Sequence, residues 1–274
     1  MDHDRLTADH YGHGALEQAI FSALAASGKD LSALSPDDLA PVDEFHIGGR
    51  QATSDLAAQA GFAPGSRLLD IGCGLGGASR FFAREGGCWV TGIDVTEDYI
   101  RLAREFSARV GLGDRVTYEA ASALALPFAP ETFDGATMFH VGMNIADKRK
   151  AFSEARRVLK PGGVFAIYDV MGETEGLDFP VPWASSAETS FVADAATYRR
   201  LLSEAGFVVE KERSRAEVAL DFFRKIQSRA AAGGPPPLGL HILMGATSPQ
   251  KVANMIAGFA RGLIAPTEMI ARAR

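Results

Sequence analysis

The spacing of apolar and polar positions changes character near residue 67. Before that point, Leu16, Ile20, Phe21 and Leu24 recur at helical spacing and predict an amphipathic helix. The stretch SPDDL at 35–39 predicts a helix start, with Ser35 as N-cap and Pro36 in the first turn. TSDLAAQAGF, 53–62, reads as a further helix ended by Gly61.

From residue 67, short apolar runs alternate with amphipathic stretches. RLLDIG, WVTGIDV, RVTYEAAS, FDGATMFHV and GVFAIYDVM read as five buried strands. GASRFFAREG, EDYIRLAREFSARVG and KRKAFSEARRVL read as helices between them. Strands alternating with helices imply right-handed crossovers and a parallel sheet covered on both faces. The rhythm then breaks. Residues 172–194, with Pro180, Pro182 and Trp183, read as loop. AATYRRLLSEAGF predicts a helix with a Gly206 stop, and VVEKERS a sixth strand. Two helical stretches, about 216–232 and 249–261, flank GGPPPLG. PTEMIARAR reads as a last strand, antiparallel to the others. The expected organisation is a helical lid over 1–45 and an α/β domain over 46–274, with a helical cap inserted at about 216–262.

Charge and composition narrow the partners. The formal charge is −6, which argues against nucleic-acid binding, since that needs a basic face. No apolar run is long enough to span a bilayer, and the acidic, His-rich start lacks the order of a signal peptide. Two cysteines, Cys73 and Cys88, fit a reducing compartment, so a cytoplasmic protein acting on a small molecule is expected. Nothing in the pattern specifies an oligomeric state. His10 and His13 stand three apart without a supporting Cys or carboxylate pattern, and no metal is expected.

The candidate chemistry lies in DIGCGLGG, 70–77. Gly72, Gly74 and Gly77 make G-x-G-x-x-G between a strand and a helix, where open α/β sheets bind ligands. Asp94 ends the next strand and suits ribose hydroxyls in a nicotinamide or an adenosyl site alike. Asp70 discriminates. A carboxylate at the loop repels a pyrophosphate and suits the ammonium and sulfonium of S-adenosyl-L-methionine (SAM).

LLDIGCGLGG, GIDV, the ALALPF segment before FD, and LKPGG together resemble the class I SAM-dependent methyltransferases over about 65–171. The resemblance implies a Rossmann-like seven-stranded sheet, mostly parallel with an antiparallel last strand. It implies that the backbone from Gly72 through Cys73 and Gly74 to Gly76 faces the methionine and sugar of SAM. Asp94 would hold the ribose and Val95 lie against the adenine. Many relatives carry an Asp before the Leu-Pro-Phe segment to receive the adenine amino group; here Ser122 offers a neutral partner. Phe139 and His140, closing the fourth strand, would lie near the transferred methyl.

FHIGGR at 45–50 is similar to the His-x-Gly element of small-molecule methyltransferases, which act on glycine or sarcosine, phosphoethanolamine, sugars and plant alkaloids. In that group an N-terminal helix carrying a Tyr closes over the site, a part that falls to Tyr11. His46 either binds substrate or packs as a linker residue. HVGMNIADK at 140–148 is similar to the Asp-Lys step of the phosphoethanolamine enzymes. His140 is the best candidate to take a proton from substrate, or it shapes the pocket. Asn144 would orient the substrate. Arg80 pairs with an acid or reaches the SAM carboxylate, and KERSR at 211–215 reads as a solvated strand edge. The proline run with Leu238, Leu240, Ile242, Leu243 and Met244 either walls an apolar pocket or packs as an ordinary insertion.

The resulting expectation is a SAM-dependent methyltransferase of a small molecule, first of all an amine. A hydrophobic acceptor such as a quinone, sterol or polyketide is the alternative. A NAD-dependent oxidoreductase and a non-catalytic SAM-binding protein are the rivals from other classes.

Overall fold

The computed structural model describes residues 3–11, 16–233 and 236–274; the side chains at 227 and 229–233 lie outside that description. His13, and Gly234 and Pro235 of the proline run, are also outside it. The chain opens with helices α1 (His3–Tyr11), α2 (Leu16–Ala26), α3 (Pro36–Asp43) and α4 (Gly49–Ala60). Then come β1 (Arg67–Ile71), α5 (Gly77–Arg84), β2 (Trp89–Asp94), α6 (Glu97–Arg109), β3 (Val116–Ala120) and β4 (Phe133–Phe139). These are followed by α7 (Lys148–Val158), β5 (Leu159–Gly172), α8 (Ala195–Glu204) and β6 (Phe207–Ser214). The last elements are α9 (Ala216–Gly233), α10 (His241–Met244), α11 (Ser248–Ala260) and β7 (Ile264–Ala273).

Seven strands form one sheet in the order β3-β2-β1-β4-β5-β7-β6. Pairs among β1 to β5 are parallel, and β7 runs antiparallel to both β5 and β6 between them. Alternation along the strands feeds two cores. Phe165 and Ile167 face the side covered by α7 and α8, with Phe152, Tyr198 and Leu202. Ala166 and Tyr168 face the side of α4, α5 and α6, with Leu56, Phe82 and Ile100.

The N-terminal helices do not form a separate core. Leu16, Ile20 and Leu24 of α2 pack with Leu102 and Phe106 of α6 and with Leu238 and Leu243 of the cap. No residue of helix α1 is fully buried, and its Tyr11 packs half-buried against the same core. Ser35 caps α3 in a capping box, accepting from the Asp38 N–H while Asp38 accepts from the Ser35 N–H. Helix α4 starts at Gly49, ahead of the expected Thr53, and ends at Gly61 in the left-handed conformation. β4 stops at Phe139; His140, expected inside the strand, turns out of it with φ 52°. β5 begins at Leu159, so LKPGG belongs to the strand across a register shift opposite Phe133 and Gly135.

The KERSR reading needs one correction. Arg215 is 7% exposed and pairs with Glu268 at 3.0 Å and Asp55 at 2.6 Å, because it turns off the strand edge under α4. No helix among the described residues is long and apolar enough to cross a membrane.

Candidate active site

A cavity of about 1100 Å³ opens at the carboxyl ends of β1, β2 and β4. Ligand pockets span roughly 300–1,000 Å³, so this one has room for a cofactor and a second sizeable molecule. Its floor is the glycine loop. The N–H groups of Gly72 and Cys73 both donate to the Ile93 carbonyl, at 2.8 and 2.9 Å, which pins the loop against β2. The Gly74 N–H donates to Asp94 Oδ2 at 3.0 Å, and the Thr96 N–H to Oδ1 at 2.9 Å. Gly72 must be glycine: at φ 71° a Cβ would lie 2.3 Å from Val141 Cγ2.

Asp70 stands behind this floor, 1% exposed. It accepts from Ser79 Oγ at 2.6 Å and Thr137 Oγ1 at 2.8 Å. Burial outweighs these bonds and pushes its carboxyl up to about 6. Asp94 and Val95 line the same space with Tyr99, Ala121, Ala123 and Leu124. Two residues given cofactor roles stand elsewhere. Gly76 is the N-cap of α5 and lies against Tyr118, whose hydroxyl a Cβ would meet at 2.2 Å. Its backbone conformation serves packing, and it does not line the cavity. Ser122 turns its hydroxyl to the Leu124 N–H at 3.0 Å, while its neighbours Ala121 and Ala123 make the wall.

Tyr11, Asn144, His140 and His46 line the same cavity. The Tyr11 hydroxyl reaches Asn144 Oδ1 at 3.5 Å, so α1 meets the segment after β4 there. Burial raises the Tyr11 phenol far above its usual value and keeps it protonated. His140 is held by its N–H donating to the Tyr168 carbonyl at 2.7 Å, with its ring 4.9 Å from the Tyr168 ring. Its Nε2 is buried without a hydrogen-bond partner, and burial, with His46 nearby, drives the imidazole well below its ordinary pKa. His46 is 6% exposed, its ring 5.0 Å from Phe139 and 6.0 Å from His140.

Apart from Asp4, Thr7, Asp43, Glu44, His241 and Ser248, the rest of the wall is apolar. Leu238, Leu240, Leu243 and Met244, from the segment suspected as a cap, do line the cavity and also pack on α2. Trp183, Phe222 and Phe223 complete it; the loop composition around Trp183 and the plain amphipathicity of α9 did not single them out. Among the described residues, no lysine or arginine lines the cavity. Nor do they include a cluster of three or more His, Cys, Asp or Glu able to hold a metal. His10 Nε2 instead meets the Pro182 carbonyl at 3.0 Å. Arg80 is not among the lining residues and is held in a buried pair with Asp43.

The donor set fits SAM. Carboxylates at Asp70 and Asp94 and a glycine cradle suit an adenosyl cation, and no described cation lines the cavity for a pyrophosphate. Comparison with known proteins points the same way. The model of a methyltransferase domain matches residues 69–167. Erythromycin 3''-O-methyltransferase of Saccharopolyspora erythraea is 34% identical over 199 residues, covering 66% of this chain and 65% of that protein. Geranyl diphosphate C-methyltransferase of Streptomyces coelicolor, solved with S-adenosyl-L-homocysteine, superposes with TM-score 0.72 at 17% identity, over 100% of this chain and 99% of that one. Phosphoethanolamine N-methyltransferase 2 of Haemonchus contortus, solved with SAM, gives 0.68 at 20% identity, over 85% and 54% of the two chains. The chain spans between 31% and 65% of the length of the first curated relatives it matches. By its fold, its glycine loop and the match over 69–167, this chain carries a methyltransferase domain and resembles the SAM-dependent enzymes.

Proposed function

We propose that the protein moves the methyl group of SAM to a large, mostly apolar small molecule. One observation carries this reading: the glycine loop opens into the same cavity as a wall of Trp183, Phe223, Leu238 and Leu243 that lacks any described cation. A phosphate or carboxylate on the acceptor would enter that space unpaired, at a cost of several kcal/mol. A hydrophobic amine is the second reading, favoured by carboxylates at Asp4 and Glu44 in the lining.

When bound, SAM supplies an electrophilic methyl group. The chain's own part is orientation and exclusion of water. Asp94 receives the ribose and Val95 lies beside the adenine. Phe139 and the apolar cap keep water from the reacting atoms. Tyr11, from α1, and Asn144, from the segment after β4, close the acceptor half. His140, neutral near pH 7 because it is buried, takes the proton that an alcohol or phenol gives up.

Two measurements test the reading. Calorimetry should give S-adenosyl-L-homocysteine binding and none with NAD; the reverse result favours an oxidoreductase. Labelled methyl from SAM should enter the lipid fraction of a cell extract. Label confined to polar phosphate esters or amino acids would refute the acceptor class. Cofactor binding with no transfer to any fraction would favour a non-catalytic SAM-binding protein.

A further inference from the structure

Beside Phe139 and His140 the cavity backs onto a buried triad of Glu44, Thr53 and His46, which are 3%, 0% and 6% exposed. Around His46 Nε2 lie the Gly49 carbonyl oxygen at 3.2 Å, Thr53 Oγ1 at 3.0 Å and Glu44 Oε2 at 3.4 Å. A carbonyl and a carboxylate only accept. Thr53 has one hydroxyl proton, and it donates it to Glu44 Oε2 at 2.7 Å. Toward His46 the hydroxyl is therefore an acceptor too. Arg50 Nε donates to the other oxygen of Glu44 and fixes the rotation of that carboxylate.

Three acceptors around one nitrogen dictate the tautomer: the proton of the neutral ring sits on Nε2, and Nδ1 keeps its lone pair. Burial holds this imidazole below its ordinary pKa, so the ring is neutral near pH 7. His46 lines the cavity, and its Nδ1 has no hydrogen-bond partner among the described residues.

We infer that His46 Nδ1 is the post that recognises the acceptor, receiving a hydrogen bond from a hydroxyl or N–H other than the one that is methylated, and that Glu44 and Thr53 are positioning residues that hold this tautomer. The identity of the ligand as a methyl acceptor rests on the function proposed above; the tautomer does not. The consequence is selective. A lone pair with no described lysine or arginine in the lining repels phosphate and carboxylate and attracts a donor. Acceptors carrying a free hydroxyl or amine enter, and their phosphate esters do not.

Long-range 1H–15N spectra of the protein saturated with S-adenosyl-L-homocysteine read the tautomer directly. The expected result near neutral pH is a protonated Nε2 and an unprotonated Nδ1 at His46. Thr53→Ser should keep that pattern, and Thr53→Val combined with Glu44→Gln, in which Arg50 holds the amide oxygen and the amide N–H2 turns to the ring, should mix the tautomers. A protonated Nδ1 in the unmodified protein, or no change in that double variant, overturns the inference. A panel of terpenoid and aryl diols against their phosphate monoesters, which keep one hydroxyl free for methylation, reads the selection with SAM. The diols should be preferred by about a hundredfold. Equal use of the esters, or an unchanged preference in His46→Phe, overturns it. Failure of S-adenosyl-L-homocysteine to bind would refute the methyltransferase reading and leave the tautomer measurement standing.

Discussion

Arg80 on α5 and Asp43 at the end of α3 form an ion pair out of reach of water, their side chains 1% and 0% exposed. The pair ties the helix behind the glycine loop to the N-terminal segment. Ser107 Oγ, at 3.2 Å, takes a further Arg80 hydrogen bond. The two helices approach so closely that a Cβ on Gly77 would lie 2.3 Å from the Asp43 carbonyl oxygen. Removing one partner strands a buried charge, so Arg80→Met should cost about 3–5 kcal/mol of stability. The double variant Arg80→Met with Asp43→Leu should recover part of that loss. Urea unfolding of the three proteins measures both; a double variant no more stable than the single one refutes the account.

Gly72 and Val141 occupy space that no side chain at residue 72 can share. Gly72→Ala should lose about 1–3 kcal/mol to backbone strain alone. It should also abolish measurable S-adenosyl-L-homocysteine binding, because the loop must shift. Adding Val141→Ala relieves the clash and leaves the strain at φ 71°, so recovery should be partial. Thermal unfolding and calorimetry on the single and double variants check this.

Asp70 makes stability depend on pH. In the unfolded chain its carboxyl ionises near 3.8, and in the folded chain burial raises this to about 6. Between those values the folded state holds the extra proton, so this group's contribution to stability falls as pH rises and levels off above about 6. Asp70→Asn removes that dependence. Relative to the unmodified protein it should gain up to about 3 kcal/mol between about pH 4 and pH 7. Asp169, raised to about 6 by the same cause, keeps its own slope in the variant. Denaturation at the two pH values tests the sign, and the variant should bind SAM more weakly because a negative charge is gone.

His140 carries two demands, a proton-accepting ring and a left-handed backbone at φ 52°. Asparagine tolerates that backbone conformation, so His140→Asn isolates the chemistry. With an alcohol acceptor, turnover should fall by about 10²–10⁴-fold with S-adenosyl-L-homocysteine affinity unchanged. Turnover that survives in His140→Asn would assign the proton to another group.

Much of this was readable one segment at a time. The loop at 70–77, the acid at Asp94 and the strand–helix rhythm follow from local spacing, because a tight strand-to-helix turn and a parallel sheet each impose their own residue pattern. Ser35, Pro36 and Gly61 marked helix ends for the same local reason. Gly76 and Ser122 sat inside motifs and received ligand roles that their contacts do not match. Motif position sets the backbone path, whereas side-chain surroundings depend on what packs from elsewhere, here Tyr118 for Gly76 and the turn to Leu124 for Ser122.

By itself, then, the sequence determined the sheet, its glycine loop and the acid that closes the second strand, since each is encoded within a few neighbouring residues. Only the tertiary structure decided which polar groups meet. Arg80 found Asp43 across 37 residues, and Arg215 left the strand edge for Glu268 and Asp55. Trp183, Phe223 and Leu243 became one apolar wall, and three acceptors converged on one nitrogen of His46. These are long-range juxtapositions made by burying apolar surface between elements. No periodicity along the chain records them, because the energy that selects them exists only once the elements are packed.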